Sequence, residues 1–134
     1  MLHPIYVNLL AVLVAGIIHM VIGGIWYAPP VFGNLWMKLS GIKPSGKSPA
    51  VPMIVSFIAG LVMAYVLAQL EALLDVSNIA GALLLAFWLW LGFVATIKLI
   101  HAMFDGTSLK LYALLVIYDY IVLAVMAVIL ALWK

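Results

Sequence analysis

The sequence predicts an all-α integral membrane protein: a four-helix bundle of up-down topology with a short interfacial helix after the first span. Three observations carry this. Of 134 residues, 69% are apolar and only 7% are Asp, Glu, Lys or Arg, against about 45–50% and about 25% in soluble domains, so a fold in water would lack a polar surface. Four apolar runs are each long enough to cross about 30 Å of hydrocarbon, which takes about 20 helical residues. Lipid offers no hydrogen bonds to the backbone, so each run must satisfy its own peptide groups, and with connections this short the spans form helices that alternate in direction. The whole chain, 1–134, reads as a single transmembrane domain.

The first span is expected over 5–27, interrupted only by Asn8 and His19. Met1-Leu2-His3-Pro4 carries no Lys or Arg, and the run is longer than the about 7–15 apolar residues of a signal peptide, so it reads as a retained span. The second is expected over 51–70, with Pro52 in the first turn, where a helix tolerates proline. The third covers 79–97. The fourth covers 111–133 and contains Asp119. Between the first two, Val31, Phe32, Leu35, Trp36 and Leu39 recur at helical spacing with Asn34 and Lys38 opposite and Gly41 as a stop. This predicts a short helix over 31–40 in the membrane interface, followed by an irregular linker over 41–49.

Lysine placement predicts orientation. The connection over 28–50 carries Lys38, Lys43 and Lys47 and no acid, and 98–110 has Lys98 and Lys110 at its edges. The segment 71–78 carries Glu71 and Asp75 and no Lys. The positive-inside rule therefore places loops 28–50 and 98–110 in the cytoplasm and both termini outside the cell membrane. Trp26, Tyr27, Trp36 and Trp133 sit where interfacial aromatic anchors belong. The net charge of +2, with six Lys and no Arg, is too sparse to track phosphates, which argues against a nucleic-acid partner. The absence of Cys excludes disulfides, thiolate metal sites and Cys nucleophiles.

Helices in lipid meet through small residues. Ser56, Gly60, Ala64 and Ala68 recur every four residues in the second span; Ala11, Ala15, His19 and Gly23 do so in the first. Helix rise places His19 about 12 Å and Asp119 about 15 Å from the cytoplasmic ends, with Thr96 near the level of His19 and Lys98 at about 8 Å, where it can snorkel. Ionisable groups at such depth are costly. An imidazole–carboxylate pair between His19 and Asp119 is therefore expected either as a relay or counter-ion site or as a structural pair that sets helix register. Tyr118 and Tyr120 flank Asp119 on different faces. Phe87, Trp88, Trp90 and Phe93 read as lipid-facing or bundle-filling.

Motifs for metalloprotease, α/β-hydrolase and P-loop chemistry are missing. No metal and no cofactor is expected: His19 and His101 differ by about 9 Å in depth, too much for a shared b-type haem. Asp105-Gly106-Thr107-Ser108 reads as a turn and helix cap. Gly23-Gly24-Ile25-Trp26-Tyr27-Ala28-Pro29 followed by Phe32-Gly33-Asn34-Leu35-Trp36-Met37-Lys38 resembles the pattern G-x-x-W-Y-S-P-x-x-F-G-x-x-W of a small membrane family catalogued as domain of unknown function 1761, with Ala28 in place of the usual Ser. Trp88-Leu89-Trp90-Leu91-Gly92-Phe93-Val94, His101-Ala102-Met103-Phe104-Asp105-Gly106 and Lys110-Leu111-Tyr112 look like its later blocks. The resemblance implies a four-span bacterial or archaeal membrane protein and no activity. Three function classes stay open: a homo-oligomeric transporter or channel for a small solute or ion, using the His19/Asp119 level; a scaffold or accessory subunit of a larger membrane complex; and, least supported, a membrane enzyme.

Overall fold

A computed structural model describes residues 5–42 and 48–133. Met1-Leu2-His3-Pro4, and Lys43 and Lys47 of the lysine count, lie outside the described residues. The described chain is helical, and polar side chains at the helix ends do what water would do elsewhere. Helix α1 (Leu9–Trp26) starts on Asn8, whose Oδ1 accepts from the backbone of Leu10 and Ala11 at 3.1 and 3.2 Å. A wide π-helical turn, Pro29–Gly33, leads straight into α2 (Asn34–Ser40). Gly41 ends α2 in the left-handed region, φ 74°, with its N–H on the Met37 carbonyl, a conformation that favours glycine. Then follow α3 (Ala50–Leu73), α4 (Ile79–Asp105) and α5 (Leu109–Leu132). Asn78 caps α4 through Gly81 at 2.7 Å, and Ser108 caps α5 through Leu111 at 3.2 Å.

Two helices outrun the apolar segments that announce them. α3 continues to Leu73, so Glu71 is a helical residue, 1% exposed, rather than part of a loop. α4 continues to Asp105, so Lys98 lies inside a helix and the third connection shrinks to 106–108. Gln69, Glu71 and Lys98 lower the hydropathy but are good helix formers, and helical hydrogen bonding does not stop where apolarity does. Within α4 the stretch Trp90–Ala95 is π-helical, a local widening of the helix.

The four long helices alternate in direction. α1 and α3 pack antiparallel through small residues: Ala11, Ala15 and Ala64 are fully buried, and a Cβ built on Gly16 would lie 2.6 Å from Leu61. α5 is the hub. It packs against α1, α3 and α4, while α4 is laid principally on α5. Burial follows: 44% of the most apolar stretch of α5 is buried, against 11% for α4. Polar side chains pin α4 to α5, since Trp90 Nε1 donates to Val116 O at 2.7 Å and Tyr112 Oη donates to Ala95 O at 2.8 Å. Ala82 and Ala86, fully buried, let the two backbones approach. Outward faces are apolar: Trp88 is 60% exposed and Phe93 66%, surfaces that water would not tolerate at this density and lipid does.

Candidate functional site

The polar residues at depth come together around α5. Asp119 lies ten residues into α5, about 15 Å along it, and Lys98 lies seven residues before the end of α4, about 10 Å. Side chains lean toward the N-terminus of their own helix. Because α4 and α5 are antiparallel, Lys98 leans away from the α4–α5 turn and Asp119 leans toward it. They meet: Lys98 Nζ is the counter-ion of Asp119 Oδ2. The expected direct pair of His19 with Asp119 is not formed. His19 stays within electrostatic reach of Asp119, but its ring packs on α3, where a Cβ on Gly60 would stand 2.8 Å from Nδ1. That Nδ1 is buried with no hydrogen-bond partner. Thr96 is not brought in; its Oγ1 donates to Gly92 O of its own helix at 2.8 Å.

Beside this cluster opens a cleft of about 1060 Å³, walled by the second half of α1, the π-helical turn, α2, the start of α3 and one face of α5. His19, Gly23, Tyr27, Trp36, Ser56 and Tyr118 carry most of its chemistry. The aromatic rings form one contact network. Tyr27 meets Tyr118 edge-on at 5.2 Å between centroids and Trp36 at 5.8 Å, while Trp26 tilts against Phe32 at 4.2 Å. Two glycines make the cleft possible. A Cβ on Gly33 would lie 2.3 Å from the Tyr27 carbonyl oxygen, so only glycine lets the π-helical turn fold back on α1; one on Gly23 would lie 2.9 Å from the Tyr118 hydroxyl. Trp26, Tyr27 and Trp36, expected as interfacial anchors, line the cleft or pack behind it, and the Trp26 indole nitrogen is buried. Hydropathy cannot separate the two arrangements, since an aromatic ring at a span end fits either.

The model of the family described as "Protein of unknown function (DUF1761)" matches residues 10–131. The chain belongs to the DUF1761 family. No curated protein sequence and no solved structure matches it. The chain is thus a small four-span membrane protein of an uncharacterised family. The DUF1761 pattern read from the sequence maps onto the cleft: Gly23, Tyr27, Pro29, Gly33 and Trp36 line it, and Trp26 and Phe32 stack behind them.

A second, smaller hollow of about 330 Å³ opens at the opposite end of the same three helices of the DUF1761 chain, lined by Tyr6, Asn8, Ala11, Glu71, Leu130 and Trp133. Sequence reasoning missed it, because Glu71 read as a loop acid. Between the two hollows lies a packed layer of Ala15, Ala64 and Met126, all fully buried. On α1 the gap between Ala11 and His19 is eight residues, about 12 Å. Among the described residues no three His, Asp or Glu side chains converge as a metal site would require. What the cleft offers is aromatic faces, one imidazole and several hydroxyl and N–H donors.

Proposed function

We propose that the chain is the protomer of a homo-oligomeric transporter or channel for a small solute, with the cleft and the smaller hollow as the two ends of its path. The observation that carries this is their placement: both open along the α1–α3–α5 interface, at opposite ends, with a packed layer around Ala15, Ala64 and Met126 between. Such a layer is the kind of packed element that a modest helix displacement opens. Titratable groups stand along the axis: His19 at the cleft, the Lys98–Asp119 pair beside it, and Glu71 at the far hollow. In the orientation read from the lysines, the cleft faces the cytoplasm and both termini lie outside. Lys98, paired with Asp119 inside a span, leaves that tally, and Lys38, Lys43, Lys47 and Lys110 keep its sign. A pathway enclosed by four helices is narrow, which is why more than one copy is proposed.

The test is flux. Proteoliposomes loaded with a pH-reporting dye are given a potassium diffusion potential, and proton uptake is followed with the wild type and with Asp119→Asn. Protein-dependent uptake that Asp119→Asn abolishes while it elutes and melts like the wild type supports the proposal. Uptake equal in the two proteins removes Asp119 from the path, and no uptake in the wild type overturns proton movement along it. The second reading, an accessory subunit of a larger membrane complex, draws on α4, whose outward face carries Trp88, Phe93 and Phe104 at 60%, 66% and 89% exposure. A partner retained through mild-detergent purification, and released by polar substitution on that face, would favour it.

A further inference from the structure

The cleft also speaks to the class of molecule it takes, an inference that rests on reading it as a ligand site. Among the described residues its walls carry no Asp, Glu, Lys or Arg. The nearest carboxylate, Asp119, has Lys98 as its counter-ion and is not part of the lining. A charged solute would leave water for a site with no opposite charge to meet it. The polar side chains that do line the cleft are His19, Tyr27, Trp36, Ser56 and Tyr118. Each can donate a hydrogen bond and none carries a fixed charge. Because Nδ1 of His19 is sealed against Gly60, the imidazole has only its other nitrogen to offer a ligand. Tyr27, Trp36 and Tyr118 also present ring faces, and the rest of the lining is glycine, proline, Leu115 and the flexible thioethers Met20, Met37 and Met53 on three different walls. Rings stack on planar ligands, and methionine adapts to irregular apolar shapes. The volume, about 1060 Å³, lies just above the range of about 300–1,000 Å³ seen for small-molecule sites.

We infer that the cleft binds a neutral, planar, ring-bearing molecule with hydrogen-bond-accepting oxygens, of the quinone or aromatic ketone class. The ring lies among Tyr27, Trp36 and Tyr118, its oxygens accept from the surrounding donors, and any hydrocarbon tail follows the methionine-lined walls.

Gly24 makes the test clean. It lies at the rim of the cleft, and a Cβ built on it meets nothing within 4 Å, so a larger side chain there adds bulk at the entrance without pressing on the packed helices. Three probes of similar aromatic bulk and different charge are titrated into protein in phosphatidylcholine nanodiscs: 2,3-dimethyl-1,4-naphthoquinone, 2-naphthoate and tetraphenylphosphonium. Tryptophan fluorescence is the readout. The expected result is saturable quenching by the quinone at one site per protomer, with Kd raised at least tenfold in Gly24→Leu and several-fold in His19→Phe. The charged probes should give only linear quenching, equal in the wild type and Gly24→Leu. Should Gly24→Leu fail to fold, Gly24→Cys is folded first and then capped with N-phenylmaleimide; the chain has no other Cys, so the plug is installed in the finished protein. Saturable, plug-sensitive binding of a charged probe in place of the quinone overturns the neutral class and leaves the cleft as a ligand site. Quenching by all three that no plug alters overturns the ligand site itself.

Discussion

Replacing Lys98 by Met should destabilise the bundle by an amount that depends on pH, and the structure bounds that amount. The substitution keeps the length and apolarity of the stem but strands Asp119, whose side chain is 20% exposed about 15 Å along α5. At that depth the area not covered by protein faces hydrocarbon, so exposure brings little hydration. Removing one partner of a fully buried pair costs about 3–5 kcal/mol. The 42% exposure of Lys98 argues for the lower part of that range, since a half-covered ammonium is less completely committed to its partner. A second bound comes from protonation: a stranded carboxylate escapes by taking up a proton, which for an ordinary carboxyl costs about 4 kcal/mol at pH 7 and about 1.5 kcal/mol at pH 5. The defect of Lys98→Met is therefore about 2–4 kcal/mol at pH 7 and no more than about 1.5 kcal/mol at pH 5. It grows as pH rises, because the escape becomes harder. The double variant Lys98→Met with Asp119→Leu removes both charges and should return to within about 1 kcal/mol of the wild type at either pH. Reversible unfolding in mixed dodecyl maltoside and dodecyl sulfate micelles, followed by circular dichroism, measures all four corners of the cycle. Single defects that simply add in the double variant, or a Lys98→Met defect equal at pH 5 and pH 7, would refute the pairing.

Two further substitutions probe the frame of the site. Gly33→Ala puts a methyl 2.3 Å from the Tyr27 carbonyl, which backbone cannot yield, so α2 should swing off the cleft; trypsin should then cleave at Lys38 several-fold faster while the four long helices keep their ellipticity. Trp90→Phe removes the 2.7 Å hydrogen bond to Val116 but keeps the ring; the cost should be about 0.6 kcal/mol, the average for such bonds in a membrane protein, and no more than about 1.7 kcal/mol, read in the same micelle titration.

How much of this was legible beforehand varies with the residue. Ala11, Ala15, Ala64 and Ala68, at a four-residue period, are buried in the common core, because a helix turns such a period into a stripe. The four spans follow from apolar run length, which is a property of the solvent. The partner of Asp119 was hidden. Depth alone matches it to His19, whereas the lean of side chains on antiparallel helices and the four-carbon stem of lysine bring Lys98 instead. That in turn was obscured because Lys98 falls where hydropathy drops, and falling hydropathy marks the edge of an apolar run rather than the end of a helix. The cleft was hidden for another reason. It depends on a π-helical turn at Pro29–Gly33 that folds α2 back, and only Gly33, whose need for zero side chain is a tertiary fact, hints at it.

The two hollows open on opposite sides of the membrane in this account, and access from each side can be measured. Ser56 lines the cleft and Ala72 the smaller hollow, and the chain has no Cys to interfere. Single variants Ser56→Cys and Ala72→Cys are exposed to a membrane-impermeant maleimide in right-side-out and inside-out vesicles. The account predicts labelling of Ser56→Cys only in inside-out vesicles and of Ala72→Cys only in right-side-out ones; labelling of both positions from the same side would contradict it.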